Sequence, residues 1–116
     1  MITSSNDFLK RIIVTGATGY LGSNLVKYLS KFENYEILCI YRGSIKSKIL
    51  KKNISYLKHD LLKKIPLNKI KKNYDIILHF AGPKNDRLSV TKNKKKLFEG
   101  IKIDKNIIDY SIKKKN

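Results

Sequence analysis

Cysteine, proline and long apolar runs are all scarce in this chain of 116 residues. Its single cysteine, Cys39, cannot form an internal disulfide, and one thiol alone cannot build a zinc site. The longest strictly apolar stretches hold only about four residues, which excludes a membrane-spanning helix. The N-terminal segment lacks the basic-then-apolar order of a secretory signal. We therefore expect a cytoplasmic α/β protein without a metal site, and its 41% hydrophobic content argues against a disordered chain.

Acidic residues are also few, nine against 26 lysines and arginines, so the formal net charge is +17. Such an excess suggests nucleic-acid binding. The lysine clusters at 94–96 and 113–115, however, lack the arginine forks and stacking aromatics that base recognition favours. We therefore favour a solvated basic surface and keep a basic nucleic-acid-binding protein as an alternative.

Apolar patterning alternates between strands and helices along the chain. Short β-branched and apolar runs predict strands at 11–15, 36–41, 54–58 and 75–80. Helical spacing predicts a first helix at about 20–32, with Leu21, Leu25, Tyr28, Leu29 and Phe32 on its apolar face. Between the third and fourth strands, Pro66 limits any helix to roughly 66–73. A C-terminal helix carries Leu97, Ile101, Ile108 and Ile112 on one face, which Ile103 and Ile107 widen.

This order of elements determines the predicted fold. Strands that alternate with helices form parallel sheets through right-handed crossovers. We expect a Rossmann-type, three-layer αβα fold with about four parallel strands in the order 3-2-1-4. The pattern does not identify a ligand.

A glycine-rich turn between the first strand and first helix carries the chemistry. Its three glycines, Gly16, Gly19 and Gly22, are spaced G-x-x-G-x-x-G. The first permits a tight turn, the second lets the backbone approach a pyrophosphate, and the third lets the helix pack close to the sheet. The N–H groups of Tyr20 and Leu21, at the positive end of the helix dipole, would then face the phosphates.

The segment TGATGYLG, residues 15–22, resembles the signature of the extended short-chain dehydrogenase/reductases. This is the NAD-dependent epimerase/dehydratase family, whose members act mostly on nucleotide sugars. The resemblance extends from residue 11 over nearly the whole chain. Residues 75–84 resemble the fourth-strand segment of UDP-glucose 4-epimerases, and Asn106-Ile-Ile108 resembles part of a motif on the following helix.

The resemblance implies roles for residues beyond the turn. Asp60, in the segment His59-Asp60-Leu61, matches an aspartate that contacts the adenine amino group. Phe80, Ala81 and Lys84 match positions that line the cofactor, whereas His79 matches a position without a proton-transfer role. The complete predicted cofactor-binding set is Gly16, Thr18, Gly19, Tyr20, Leu21, Arg42, Asp60, Leu61, Phe80, Ala81 and Lys84.

The end of the second strand departs from the pattern of NAD-preferring members. Those members place an acid there that hydrogen-bonds the ribose 2′-hydroxyl, whereas this chain has Tyr41-Arg42, with Lys46 and Lys48 nearby. An acid would repel a 2′-phosphate, and a guanidinium can pair with one. The cofactor is therefore expected to be NADP or NAD, with NADP favoured.

The residues that carry out catalysis in the family are not found in this sequence. Family members use a tyrosine, a lysine four residues later, and a Ser or Thr on the fifth strand. Tyr110 and Lys114 have that spacing, but Tyr110 lies on the helix after the fourth strand, so we reject the pair. Gly100, Ile103 and Asp104 also replace the first Asn, the Gly and the Thr of the family's helix motif. We expect no catalytic residue within residues 1–116.

Residues 1–116 are accordingly interpreted as a partial N-terminal NAD(P)-binding domain, ending before the fifth strand and without a substrate domain. Its expected function is the NAD(P)-binding portion of a nucleotide-sugar epimerase, dehydratase or reductase. A non-catalytic dinucleotide-binding remnant or regulatory module is the alternative. A homodimer through the C-terminal helix is a further expectation, because its apolar residues are too widely distributed for one buried face and because the family uses this helix in its dimer contact.

Overall fold

The computed structural model describes residues 9–82 and 94–115, so the predicted cofactor residue Lys84 lies outside the described part of the chain. These residues form two compact units. The first takes in the described residues through Lys58 together with Asn73–Phe80. The second takes in His59–Lys72 and the described residues from Ala81 onward.

The first unit contains a parallel sheet. Within the described residues its strands are β1 (Lys10–Thr15), β2 (Tyr35–Tyr41), β3 (Ile54–Lys58) and β4 (Ile76–His79). All neighbouring pairs are parallel, and the order is β3-β2-β1-β4, which confirms the predicted Rossmann-type sheet. Because every strand runs in the same direction, the carboxyl ends of all four lie along one edge.

The sheet has buried residues on both faces, as expected for parallel strands. One face contributes alternate residues of the strands to a core that also includes Ala17 and Val26; the strand members are Ile12, Val14, Ile37, Cys39 and Ile54. The other face carries Ile13, Leu38 and Ile40, which are also buried. The β-branched runs that predicted the strands therefore supply the core.

Helix α1 (Tyr20–Leu29) follows the glycine turn and is shorter than the predicted 20–32. Its buried residues are Gly22 and Val26, whereas Leu21 and Tyr28 are 64% and 57% exposed. The predicted apolar face was thus partly wrong. Helical spacing places Leu21 and Tyr28 on one face of the helix. The face that packs on the sheet is instead the one with Gly22, because a residue without a side chain lets the helix approach the sheet most closely.

The second unit contains residues 66–72 of the segment 66–73, to which any helix between β3 and β4 was expected to be limited. Only a single 3₁₀ turn, Leu67–Lys69, forms after Pro66. The Lys114 ammonium donates hydrogen bonds to the carbonyl oxygens of Ile70 (2.6 Å) and Leu67 (3.5 Å). These hydrogen bonds pair the two carbonyl groups, and Ile70 is buried, without any further helical turn.

Helix α2 (Lys94–Lys115) carries apolar residues on two opposite sides. Ile103, Ile107 and Tyr110 are buried, and Asn106 between them donates from its side-chain amide to the Leu61 carbonyl oxygen at 2.7 Å. The predicted face is instead exposed, with exposed fractions between 51% and 57% for Leu97, Ile101, Ile108 and Ile112. Ile103 and Ile107 therefore form a separate face. Among the described residues, no helix is long and apolar enough to span a membrane.

Replacing Gly22 with alanine is expected to destabilise the fold, because a Cβ there would lie 2.2 Å from the Gly16 carbonyl oxygen. Overpacking of this kind costs about 1–3 kcal/mol, more than the gain of up to about 1 kcal/mol that alanine brings to a helix. Urea unfolding measures the difference. Gly43→Ala is the matched control, since a Cβ at Gly43 meets no described atom within 4 Å. Equal stability of Gly22→Ala and the parent protein would contradict this close approach.

Candidate functional site

Three of the predicted cofactor-binding residues come directly after strands of the first unit. Gly16 comes immediately after β1, Arg42 immediately after β2, and Phe80 immediately after β4. Because β1 lies between β2 and β4, the turn that begins at Gly16 is flanked by the other two positions. Ligands of open α/β sheets bind outside the carboxyl ends of the strands, at such a reversal of strand order.

The turn after β1 requires glycine for its backbone geometry. Gly16 has a φ of 65°, a left-handed conformation that favours glycine. The Gly19 N–H donates to the Gly16 carbonyl oxygen at 3.0 Å, and a Cβ on Gly19 would lie 3.3 Å from that oxygen. The Ala17 N–H points toward the Ile40 carbonyl oxygen of β2 at 3.4 Å. The turn is therefore closed on itself and linked to the neighbouring strand.

The amino terminus of α1 has several features that favour an anion. Gly19 is its N-cap and supplies no side chain to bond the first-turn N–H groups, and the first turn contains no acidic residue. The first N–H groups of a helix have no acceptor within the helix, and the helix dipole adds positive potential there. Thr18, Tyr20 and Leu21 are exposed beside this terminus. A pyrophosphate fits this arrangement of bare N–H groups and absent Cβ atoms.

A buried threonine links the ends of β1 and β4. Thr15 is paired with His79 in the sheet register, and its Oγ1 lies 2.5 Å from His79 Nδ1. The same Oγ1 accepts a hydrogen bond from the Phe80 N–H at 3.1 Å. These bonds position the segment that leaves β4 beside the glycine turn. The sequence did not reveal this contact, because it depends on which residues the parallel register places side by side.

Arg42 is exposed at the first position after β2. The segment between β2 and β3, residues 42–53, forms neither a helix nor a strand. Its cationic side chains are Arg42, Lys46, Lys48, Lys51 and Lys52, so five cations belong to the connection that begins at this edge of the sheet. Such cations favour an anionic group over a neutral hydroxyl.

The remaining described site residues belong to the second unit. Asp60 Oδ1 accepts a hydrogen bond from the Leu62 N–H at 3.0 Å, and the Asp60 carbonyl oxygen accepts one from the Lys63 N–H at 2.9 Å. Leu61 is buried, and Ala81 is half-buried. The Asp60 carboxylate thus stabilises a local turn. Its predicted contact with adenine stays a prediction, as do the cofactor roles of Leu61 and Ala81.

Tyr110 and Lys114 do not form an acid–base pair in the described structure. The Tyr110 side chain is buried, and its hydroxyl has no hydrogen-bond partner among the described residues. Burial raises the pKa of Tyr110, whereas a catalytic tyrosine of this type needs a lowered pKa. The Lys114 ammonium is engaged by the Ile70 carbonyl oxygen at 2.6 Å.

The described residues show neither a reactive thiol nor a cluster of metal ligands. Burial raises the pKa of the Cys39 thiol to about 12, so the nucleophilic thiolate is not populated near neutral pH. Within residues 9–82 and 94–115, no group of three or more His, Cys, Asp or Glu side chains could hold a metal ion.

The family model that describes the NAD-dependent epimerase/dehydratase family matches residues 12–115. The chain belongs to this family. The assignment agrees with the glycine turn, the strand order and the resemblance of the fourth-strand segment. No curated protein sequence matches the chain.

Solved structures of epimerases are similar to this chain. A UDP-galactose 4-epimerase is 25% identical with a TM-score of 0.67, over 87% of this chain and 33% of that protein. The epimerase Mth375 from Methanothermobacter thermautotrophicus is 27% identical with a TM-score of 0.69, over 92% and 33%. A UDP-glucuronic acid 4-epimerase from Bacillus cereus, in complex with NAD, is 26% identical with a TM-score of 0.55, over 68% and 28%. The chain thus spans about a third of the length of these epimerases.

Replacing Tyr110 with phenylalanine is expected to leave dinucleotide affinity unchanged and to preserve or increase stability at neutral pH, because a buried hydroxyl without a partner adds nothing. The pKa of Tyr110 is raised in the folded state, so its titration leaves stability unchanged below about pH 10, where the side chain is neutral in both states. Stability falls as pH rises further, because the unfolded state ionises first. Urea unfolding from pH 7 to 11 should therefore show a steeper alkaline loss for the parent protein. A marked destabilisation of Tyr110→Phe at pH 7 would reveal a bonded hydroxyl instead.

Proposed function

We propose that this chain is the dinucleotide-binding portion of a nucleotide-sugar epimerase, dehydratase or reductase. Membership in the NAD-dependent epimerase/dehydratase family supports a nicotinamide dinucleotide as the cofactor. The NAD bound in the Bacillus cereus relative and the UDP-sugars named for the similar epimerases support the same assignment. When bound, the nicotinamide would accept or donate a hydride.

The bare amino terminus of α1 is the observation that carries this proposal. Gly16 and Gly19, at the two ends of the turn, carry no Cβ atoms, and the helix that follows has no side-chain cap from its N-cap residue. The pyrophosphate would accept hydrogen bonds from the N–H groups of Tyr20 and Leu21. Phe80 would line the nicotinamide side of the same edge, where Thr15 holds its backbone N–H.

NADP is the favoured cofactor because Arg42 occupies the first position after β2. The adenosine ribose of a bound dinucleotide lies near the end of this strand in doubly wound folds. A guanidinium there can form paired, charge-assisted hydrogen bonds with a 2′-phosphate, and no carboxylate follows directly to repel it.

A non-catalytic binding module is the second candidate, and the environment of Tyr110 favours it for residues 1–116 taken alone. Tyr110 is the one tyrosine of the sequence with a lysine four residues later, and it is buried with a raised pKa. General acid–base help of that kind contributes about 10²–10⁴-fold to the rate. We expect cofactor binding without turnover from this part of the chain.

Titration of the folded chain with NADP⁺ and NAD⁺, by calorimetry or fluorescence, tests the proposed function. Binding of either at millimolar concentration or below is expected, and binding of neither would reject it. Arg42→Asp should weaken NADP⁺ by about tenfold or more, because charge-assisted bonds contribute about 1.5–3 kcal/mol, while NAD⁺ changes little. Lys52→Asp makes the same change of charge at another exposed position and is the control. An equal effect of Arg42→Asp on both nucleotides would refute the NADP preference.

Self-association through α2 forms a further part of the proposal. The exposed side of this helix carries Leu97, Ile101, Ile108 and Ile112, each more than half exposed. Burial of these side chains between two copies would gain about 25 cal/mol per Å² of apolar surface. The net charge of +17 opposes close approach, and salt screens that repulsion to a Debye length of ~8 Å at physiological strength.

The population of dimers or larger species is therefore expected to rise with salt. Ile108→Lys and Ile112→Lys should each reduce it, because both place a charge in the apolar surface. Ser111→Lys adds the same charge at an exposed α2 position outside that stripe and is the control. Analytical ultracentrifugation between low and high salt measures the distribution. A monomer at every salt concentration would show that α2 makes no such contact.

A further inference from the structure

The connection between β2 and β3 is anchored at one residue of β3, Tyr56. The Ile49 N–H donates a hydrogen bond to the Tyr56 hydroxyl oxygen at 2.9 Å. The Lys48 ammonium lies 5.5 Å from the centroid of the Tyr56 ring, within range of a cation–π interaction. Tyr56 and Ile49 also pack against the core of the first unit. A single side chain thus holds two successive residues of a connection that has no regular structure of its own.

The Tyr56 ring also contacts the end of β2. Tyr41, the last residue of β2, contacts Tyr56 edge-on with ring centroids 6.4 Å apart. Arg42 follows Tyr41 directly. The Tyr41–Tyr56 pair therefore lies between the backbone that leads into Arg42 and the point where Lys48 is held. Arg42 and Lys48, which are six positions apart in sequence, are linked through this pair, Arg42 by the chain and Lys48 by its contact with the Tyr56 ring.

We propose that Tyr56 is a positioning residue that organises Arg42 and Lys48 into a two-cation site for the 2′-phosphate of the dinucleotide. This inference rests on the proposed cofactor-binding function and adds to it the residues that set the preference. Arg42 and Lys48 contact the phosphate, and Tyr56 acts through the loop.

Two cations on an ordered loop should bind a phosphate more tightly than two independent surface cations. A lysine on an unanchored loop loses side-chain and backbone freedom when it binds a phosphate, which reduces the net gain. The hydrogen bond from Ile49 and the Tyr56 ring beside Lys48 order the loop before the phosphate binds. This conformational freedom is therefore already lost in the folded protein without ligand. Burial raises the pKa of Tyr56, so its hydroxyl stays neutral and keeps the bond at physiological pH.

The experiment compares Kd values for NADP⁺ and NAD⁺ in Tyr56→Phe and Lys48→Met. Tyr56→Phe removes the bond to Ile49 but keeps the ring, and it should weaken NADP⁺ about three- to tenfold, the range for one hydrogen bond. Lys48→Met should weaken NADP⁺ by a similar or larger factor. NAD⁺, which has no 2′-phosphate, should change less than about twofold in both variants.

Matched variants separate the proposed site from general effects. Tyr28→Phe removes a hydroxyl from an exposed tyrosine on α1, and Lys52→Met removes a charge from the same β2–β3 connection. Neither should alter the NADP⁺ to NAD⁺ ratio. Amide hydrogen exchange gives a second readout, because loss of the Tyr56 hydroxyl should increase exchange at Ile49 while urea stability remains near that of the parent protein.

The outcomes are distinct. A selective loss of NADP⁺ affinity in Tyr56→Phe and Lys48→Met, absent from the controls, supports the inference. Equal weakening of both nucleotides would assign Tyr56 a purely structural role and overturn it. Unchanged affinities in a protein that binds dinucleotides would overturn it while leaving the proposed function intact. Binding of neither nucleotide by the parent protein would reject the proposed function and this inference together.

Discussion

The close approach of α1 to the glycine turn is the constraint on which the proposed binding site depends. A Cβ on Gly22 would lie 2.2 Å from the Gly16 carbonyl oxygen, so only glycine allows the helix to begin at this distance from the strand. The approach determines where the first helical turn starts and therefore where its N–H groups lie. Because Gly16 also adopts a left-handed conformation, the two glycines together set the direction of the helix relative to β1.

Strand order places two other predicted cofactor-binding residues beside this turn. The turn after β1 is flanked by β2 and β4, whose following residues are Arg42 and Phe80. The bond between Thr15 and His79 and the bond from the Phe80 N–H fix one flank. On the other flank, Tyr56 fixes the connection that follows Arg42. Each flank is thus held by a side chain that lies on a strand, and rigid strands position such groups better than loops do.

The sequence predicted the local elements well and the long-range contacts poorly. β-branched runs placed all four described strands within about one residue, since buried parallel strands require such runs. The glycine turn was also predictable, because its spacing reflects backbone geometry within a few residues. The contacts of Thr15 with His79 and of Tyr56 with Ile49 depend on register and loop path, which no local pattern encodes. The bonds from Lys114 to the carbonyl oxygens after Pro66 were unpredictable for the same reason, since Lys114 lies in a distant part of the sequence.

Tyr110 and Lys114 show why spacing alone cannot assign chemistry. A tyrosine and a lysine four residues apart can share one helix face, and that spacing is the pattern of a proton-transfer pair. Here the tyrosine is buried without a described partner, which raises its pKa, and the lysine is bonded to the Ile70 carbonyl oxygen. The same two residue types would need a solvated cleft and a direct electrostatic coupling to lower the tyrosine pKa. The environment that the fold gives to each group, rather than its position in a motif, therefore decides whether it can move a proton.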